Sequence, residues 1–385
     1  MRMPLFRGTK KRLLSLVVGA LLSSLLFAAC GGSTSILNTD GPVAQSESFI
    51  FWVILGIAGV IFVGVEGALI YSSWRFRERP GAPTPHQLHG NTTLEVAWTA
   101  APAIVLLIVL VFTIRGLWQV APENIPTGGK TLEVEAIGHQ WWWEFYYKSY
   151  NITTADTLHV PVGETIKVDL YSNNVIHSFW IPALTGKTDV IPGHNNSRWF
   201  IADKAGTYEG LCAEFCGLQH ANMRFNVMAE NAADFNTWAI SQQAAATAPT
   251  DSLATAGQKI FTQQCSTCHG IIGVDSKSFV DPSKQCDDPN GTTRDPCYVG
   301  PNLTHFASRA TNSDRSQVGL IAGGVLENNL NDPACQPDNP QLLQQCGVAE
   351  WLHDPQGIKP GNDMNIGSLS QQDISKLVAY LETLK

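Results

Sequence analysis

Two apolar runs constrain this chain more than anything else in it. Phe49 to Tyr71 is apolar but for Glu66, and a second run extends from about Leu94 to Leu117 with Pro102 in its early turns. Crossing a bilayer takes about 20 such residues, so each run is long enough to span. Arg75, Arg77 and Arg79 follow the first run at once. Basic residues collect at the cytoplasmic end of a span, so the first helix, expected over 49–74, enters from outside. Residues 75–93 then form a cytoplasmic loop, and a second helix over 94–118 returns the chain to the outer face. Glu66 either snorkels near the cytoplasmic end or faces a partner subunit.

Ahead of the hairpin, Arg2, Arg7, Lys10, Lys11 and Arg12 precede an apolar stretch from Leu13 to Ala29, the pattern of an export signal over 1–29. It ends Leu26-Phe-Ala-Ala-Cys30-Gly-Gly-Ser, which resembles a lipoprotein signal cut before Cys30, although Phe27 stands where Leu is usual. Ordinary cleavage and an uncleaved anchor are the alternatives. Residues 30–48 form a short N-terminal segment. The formal net charge of −8 comes without a basic patch, which argues against nucleic acid as a partner.

Beyond the hairpin, β-branched and aromatic alternation sets in at Thr131-Leu-Glu-Val-Glu-Ala-Ile. It recurs at Thr165-Ile-Lys-Val-Asp-Leu and runs through Arg224-Phe-Asn-Val-Met228. Short strands at regular spacing predict a β-sandwich over 124–236. Its chemistry is concentrated in Cys212-Ala-Glu-Phe-Cys216-Gly-Leu-Gln-His220-Ala-Asn-Met223. Thiolates, an imidazole and a thioether form a soft donor set that favours copper over magnesium or calcium. Cys216, His220 and Met223 would suffice for one copper, with His177 as the upstream donor. The surplus thiolate of Cys212 argues for two coppers bridged by both sulfurs, with one His on each and with Met223 and the Glu214 carbonyl as weak terminal ligands. A Cys212–Cys216 disulfide is the competing reading for an exported protein. Loops bearing ligands at one end of a sandwich make the domain cupredoxin-like.

This loop, with His177-Ser-Phe upstream, resembles the CuA loop of cytochrome c oxidase subunit II. The resemblance implies further roles. Glu95, in Leu94-Glu-Val-Ala-Trp98, falls where the family has a glutamate at the mouth of a proton channel, and by itself would be a helix cap. Trp141, in Gly138-His-Gln-Trp141-Trp-Trp143, falls where the family's electrons enter near the copper, though such a run is also ordinary sandwich core. The Glu214 side chain matches a ligand to magnesium shared with subunit I. Asp189-Val-Ile-Pro-Gly-His194 departs from the family, which usually ends that stretch in Arg.

Small and polar residues over 237–252 suggest a linker. Then comes Cys265-Ser-Thr-Cys268-His269, the pattern of covalent c-type haem attachment with His269 as axial ligand. A zinc knuckle or thioredoxin-like pair would be weighed in a cytosolic chain. A soft second axial ligand raises the potential, and Met364 is the only Met after Met228. His305 and His353 are the alternatives. Residues 253–385 resemble class I cytochrome c, an all-α domain, with a final helix from about Ser370 to Leu384. Of nine cysteines, four remain: Cys286, Cys297, Cys335 and Cys346. An even remainder in an oxidising compartment suggests two disulfides, and equal spacing favours 286 with 297 and 335 with 346.

The expected protein is therefore multidomain: an N-terminal two-helix transmembrane hairpin, a cupredoxin-like β-sandwich and a class I cytochrome c domain. The resemblance implies the electron-accepting subunit of a proton-pumping oxidase in a bacterial cell membrane, with copper and haem domains on the periplasmic side. It implies subunits I and III as partners and an external cytochrome c or blue-copper protein as donor. A CuA-bearing component of another respiratory reductase and a membrane-anchored copper-handling protein are the alternatives. A quinol oxidase subunit would lack the copper ligands.

Overall fold

The computed structural model describes residues 35–81, 90–126, 128–172, 174–273, 300–310, 319–321, 326–328 and 335–385. The expected signal peptide, Cys30, Cys286 and Cys297 lie outside the described residues. Helices α1 (Pro42–Arg75) and α2 (Thr92–Val120) form the hairpin, and both outrun the spans expected from hydropathy. Pro42 starts α1 because a first-turn residue needs no N–H partner. The 34 residues of α1 rise about 51 Å, against about 30 Å of hydrocarbon. Its first turns therefore stand clear of the bilayer.

Those turns carry the sandwich. Val43 packs with Val120 and Trp199 in a small buried cluster. Arg198 Nη2 donates to Glu47 Oε1 at 2.6 Å, and Trp199 Nε1 donates to the Ala121 carbonyl at 3.0 Å. Gly116 lets the two helices close, since a Cβ there would lie 2.3 Å from Ile50 Cδ1. Below this joint the apolar side chains of both helices, Phe62 and Leu106 among them, face outward, as a span requires. Glu66 is exposed on α1.

At the start of α2, Asn91 Oδ1 accepts from the Leu94 N–H at 3.2 Å. Glu95 Oε1 accepts from the Asn91 N–H, also at 3.2 Å. The two side chains between them satisfy two first-turn donors, those of Leu94 and Asn91, in an arrangement like a capping box.

The sandwich has two five-stranded sheets. One is ordered β3 (Ile152–Ala155), β2 (Trp142–Tyr147), β1 (Thr131–His139), β5 (Thr165–Ser172), β8 (Asn196–Phe200). The other is ordered β4 (Thr157–Pro161), β10 (Arg224–Glu230), β9 (Gly206–Cys212), β6 (His177–Ile181), β7 (Thr185–Val190). The β1–β5 and β4–β10 pairs are parallel. Between the sheets Trp143 meets Phe179 and Phe225 at centroid separations of 5.6 and 5.5 Å. The strands that end in His177 and Cys212 are neighbours in one sheet, with Phe179 opposite Cys212.

The expected linker over 237–252 is helical at its start. Helix α3 (Ala232–Gln242) is capped by Asn231 and buries Phe235 and Ala239 against the sandwich. Trp238 stacks on His159 at 4.1 Å. An apolar face at helical spacing outweighs the small-residue composition that follows it. The rest of the linker is strapped to the next module: His305 Nε2 lies 3.2 Å from the Gln242 carbonyl and 3.1 Å from that of Ala244.

The C-terminal module has the described helices α4 (Ser252–Ile260), α5 (Pro340–Leu343), α6 (Gly347–His353), α7 (Pro355–Ile358) and α8 (Gln371–Leu381). A small hairpin pairs β11 (Gly319–Ile321) with β12 (Leu326–Asn328). Helices α4 and α8 cross at Gly257, where a Cβ would lie 1.9 Å from the Lys376 carbonyl oxygen. Cys335 and Cys346 form a disulfide with Cα atoms 4.8 Å apart.

Candidate metal and haem centres

His177 opens β6 and is fully buried. Its Nε2 lies 3.0 Å from Asn174 Oδ1, so the Nε2–H is donated there and Nδ1 is left as the free donor atom. That Nδ1 lies 3.9 Å from Cys212 Sγ. Cys212 ends β9, and the loop after it folds back so that Cys212 Sγ is 3.8 Å from Cys216 Sγ and 3.3 Å from the Glu214 carbonyl oxygen. Cys216 Sγ in turn lies 3.7 Å from His220 Nδ1 and 3.8 Å from Met223 Sδ. All six expected ligand residues thus converge, each His nearest a different sulfur.

The spacings suit metal and not a disulfide. Donors at about 2.0–2.3 Å from a shared tetrahedral ion stand about 3.5–3.8 Å apart, whereas bonded sulfurs stand about 2.05 Å apart. Both thiols are free. The hydrogen bond between the two thiols holds Cys212 below the usual thiol range against its burial, with His177 adding to the effect, and the same bond together with burial pushes Cys216 up.

The loop is pinned from both sides. Cys212 N–H donates to the Met223 carbonyl at 3.0 Å, and Ala213 N–H to the Ser178 carbonyl at 2.9 Å. The Cys216 carbonyl accepts from Gln140 Nε2 at 2.7 Å and from Trp141 Nε1 at 3.0 Å. Trp141 is thus joined directly to a cysteine of the copper loop, and both it and Trp143 belong to the buried core of the sandwich. Asn174 and Gln140 were not singled out in the sequence. Asn174 sits three residues before His177, a spacing that could have flagged it. The Glu214 carboxylate, like His194, is on the exposed surface.

In the C-terminal module, a π-helical turn over Phe261–Cys265 is followed by a turn in which the Cys268 and His269 N–H groups both donate to the Cys265 carbonyl. The two cysteines and the histidine of the Cys-Ser-Thr-Cys-His pattern thus share one tight turn. Both thiols are free, and burial lifts Cys265 to about 11. His269 Nδ1 donates to the Pro301 carbonyl at 2.9 Å, which fixes the tautomer and leaves Nε2 as the metal-directed atom. Burial disfavours the imidazolium of His269. Gly300 lies against the ring, where a Cβ would be 2.4 Å from His269 Cε1. Met364 is half-buried against the module's core, and its N–H donates to Asn362 Oδ1 at 2.7 Å. His305 Nε2 is engaged by the linker carbonyls of Gln242 and Ala244.

Family models match in the same order. They are the transmembrane domain of cytochrome c oxidase subunit II over residues 36–115, its periplasmic domain over 151–230, and cytochrome c over 254–385. The cytochrome c oxidase subunit 2 of Alkalihalophilus pseudofirmus is 31% identical over 372 residues, covering 94% of each chain. The chain belongs to the cytochrome c oxidase subunit II family.

That of Bacillus sp. PS3 is 31% identical over 380 residues, 94% of this chain and 95% of the other. Among solved structures, the periplasmic domain of the Bradyrhizobium japonicum oxidase subunit II is 30% identical, covering 31% of this chain and 96% of that one with a TM-score of 0.30. As a cytochrome c oxidase subunit II with a cytochrome c domain, the protein is part of a haem-copper oxidase and carries a CuA copper centre and haem c. The copper-loop donors fit copper, and Cys265, Cys268 and His269 are the residue types that c-type haem attachment needs. Two helices cross the membrane, and the soluble domains lie at its periplasmic face.

The two soluble modules meet at the copper loop. Lys359, 2% exposed, donates from Nζ to the Trp141 carbonyl at 2.5 Å, and Gln219 Nε2 donates to the Pro360 carbonyl at 3.0 Å. Burial lowers Lys359 to about 8, with Asp156 and Cys216 opposing the shift.

Proposed function

We propose that this chain is the electron-accepting subunit of a proton-pumping cytochrome c oxidase, passing electrons from an external donor by way of its haem module and copper loop to subunit I. The observation that carries this reading is the convergence of six donor groups from one strand end and one loop, with both thiols unbonded. When bound, the haem and the copper pair supply reversible one-electron chemistry.

The chain's own residues do the holding. Cys212, Cys216, His177 and His220 would hold the copper pair, the imidazoles through Nδ1, with Met223 and the Glu214 carbonyl as its weak donors. A shell distributed over a strand end and a doubly pinned loop resists rearrangement, which suits a centre that must change charge without moving. Cys265 and Cys268 would anchor the haem, and His269 and Met364 would hold its iron. Trp141 covers the Cys216 carbonyl on the side that faces the haem module. Glu95, whose carboxylate closes the cap of α2, stands at a proton-channel entrance toward subunit I, and the Glu214 carboxylate offers a magnesium ligand at the same boundary. Subunits I and III and a soluble cytochrome or blue-copper donor complete the assembly.

Flash reduction of the haem in the assembled oxidase tests the route. The reading predicts that haem reoxidation and copper reduction proceed at one rate. Copper reduced directly by the external donor, with the haem left reduced, would contradict it.

A further inference from the structure

Three contacts tie the loop before Met364 to the copper loop, and none involves a residue of either ligand set. Lys359 Nζ reaches the Trp141 carbonyl at 2.5 Å. Gln219 Nε2 reaches the Pro360 carbonyl at 3.0 Å. Gly361, at φ +84°, brings bare backbone against the same surface: a Cβ there would lie 3.2 Å from Leu218 Cδ1 and 3.4 Å from Trp141 Cη2. A left-handed backbone without a side chain is what so close an approach needs.

Lys359 is the unexpected member. Lysine is almost never fully buried without a partner, and burying an ammonium is costly unless it is hydrogen-bonded and charge-compensated. An apolar side chain would fill the same space without that cost. The Trp141 carbonyl that accepts from this ammonium belongs to the other module. The contact also continues inward, since the Trp141 indole donates to the Cys216 carbonyl at 3.0 Å. Two hydrogen bonds thus connect the loop leading to Met364 with the loop bearing Cys216.

We propose that Lys359 is a positioning residue, a latch that seats the cytochrome module on the copper loop with Gln219, Leu218 and the Trp141 carbonyl as its seat. The latch rests on the proposed function of the two centres. A module held only by its tether meets the copper loop at an effective concentration on the order of mM, and must find the right orientation each time. Seated, it is already oriented. Trp141, 6% exposed, is then covered by the chain's own cytochrome.

The test compares the full-length, metal- and haem-loaded oxidase with its Lys359→Met and Lys359→Arg variants. Leu218→Ser serves as a second variant that leaves the cytochrome fold untouched. Hydrogen exchange reads the seat without electron transfer: in Lys359→Met, residues 218–222 and 359–362 should exchange on the order of tenfold faster, the loss expected for one charged hydrogen bond. Lys359→Arg should recover part of the protection, and Leu218→Ser should lose part. Haem-to-copper transfer should be independent of solvent viscosity in the parent, and slower and viscosity-dependent in Lys359→Met, at unchanged haem potential and copper spectrum. Unchanged exchange and unchanged viscosity dependence in both Lys359→Met and Leu218→Ser would overturn the latch. A parent protein with the exchange pattern but without haem-to-copper transfer would instead overturn the electron-accepting reading and leave the latch standing.

Discussion

Cys212 Sγ and Cys216 Sγ face each other at 3.8 Å without a bond between them. The separation is nearly twice that of a disulfide and close to the edge between two sulfurs that share a metal ion. Each sulfur has its own imidazole, His177 beside Cys212 and His220 beside Cys216. That pairing supports the two-copper reading.

The orientation of His177 depends on Asn174, which takes the Nε2–H at 3.0 Å. Asn174→Ala frees the ring to adopt the other tautomer. Copper affinity, measured by chelator competition, should fall roughly 10- to 100-fold, the usual loss when such an orienting partner is removed. An unchanged affinity would show that packing alone orients the ring.

Met364 stands in a loop held by Asn362 and by Gln356, whose Nε2 reaches the Met364 carbonyl at 3.3 Å. On the proposed axial role of Met364, replacing it with His would exchange a soft ligand for a harder one. The haem midpoint potential should drop and the Met–iron absorption band should vanish. His305→Ala should change neither, because that imidazole is engaged by the linker carbonyls.

The Cys335–Cys346 disulfide closes a loop of sequence separation 11. Restricting the unfolded chain over so short a loop contributes about 2–3 kcal/mol in a chain-entropy model. The double substitution Cys335→Ser, Cys346→Ser should lower the unfolding free energy of the cytochrome module by that amount. Denaturant titration followed by haem absorbance provides the measurement.

Glu382 introduces a pH dependence. Burial, the largest cause, and Asp338 raise it from 4.5 to about 7, against the opposing charge of Lys385. Because the folded state holds this proton more tightly than the unfolded chain, its contribution to stability is full below about pH 4.5 and disappears as pH rises through about 7. Denaturation midpoints of the cytochrome module should fall across that window, and Glu382→Gln should remove this part of the decline.

Much of the site was legible because its ligands are close in sequence: Cys212, Glu214, Cys216, His220 and Met223 share one loop, and Cys265, Cys268 and His269 share one turn. The residues that orient them were not. Gln140, Gln219 and Lys359 act on backbone carbonyls, which carry no residue-type signature, and Lys359 meets Trp141 across a sequence separation of 218. The sandwich was legible from strand alternation, but the parallel register of β1 with β5 is a tertiary choice. Helix α3 was masked by the small, polar residues after it, although Phe235, Trp238 and Ala239 already mark one face. Hydropathy likewise stops at Phe49, while α1 starts at Pro42 because its first turns bury Val43 and Ala44 at the joint with the sandwich.

Low-temperature EPR with metal analysis on the full chain, purified in detergent and loaded with copper and haem, tests the central claim most directly. The account predicts two coppers and one haem per chain, and a mixed-valence signal whose hyperfine pattern is shared by both copper nuclei. Cys216→Ser should abolish that signal while leaving the haem spectrum intact. A single-copper signal in the parent chain, or a mixed-valence signal that survives Cys216→Ser, would contradict the dinuclear assignment.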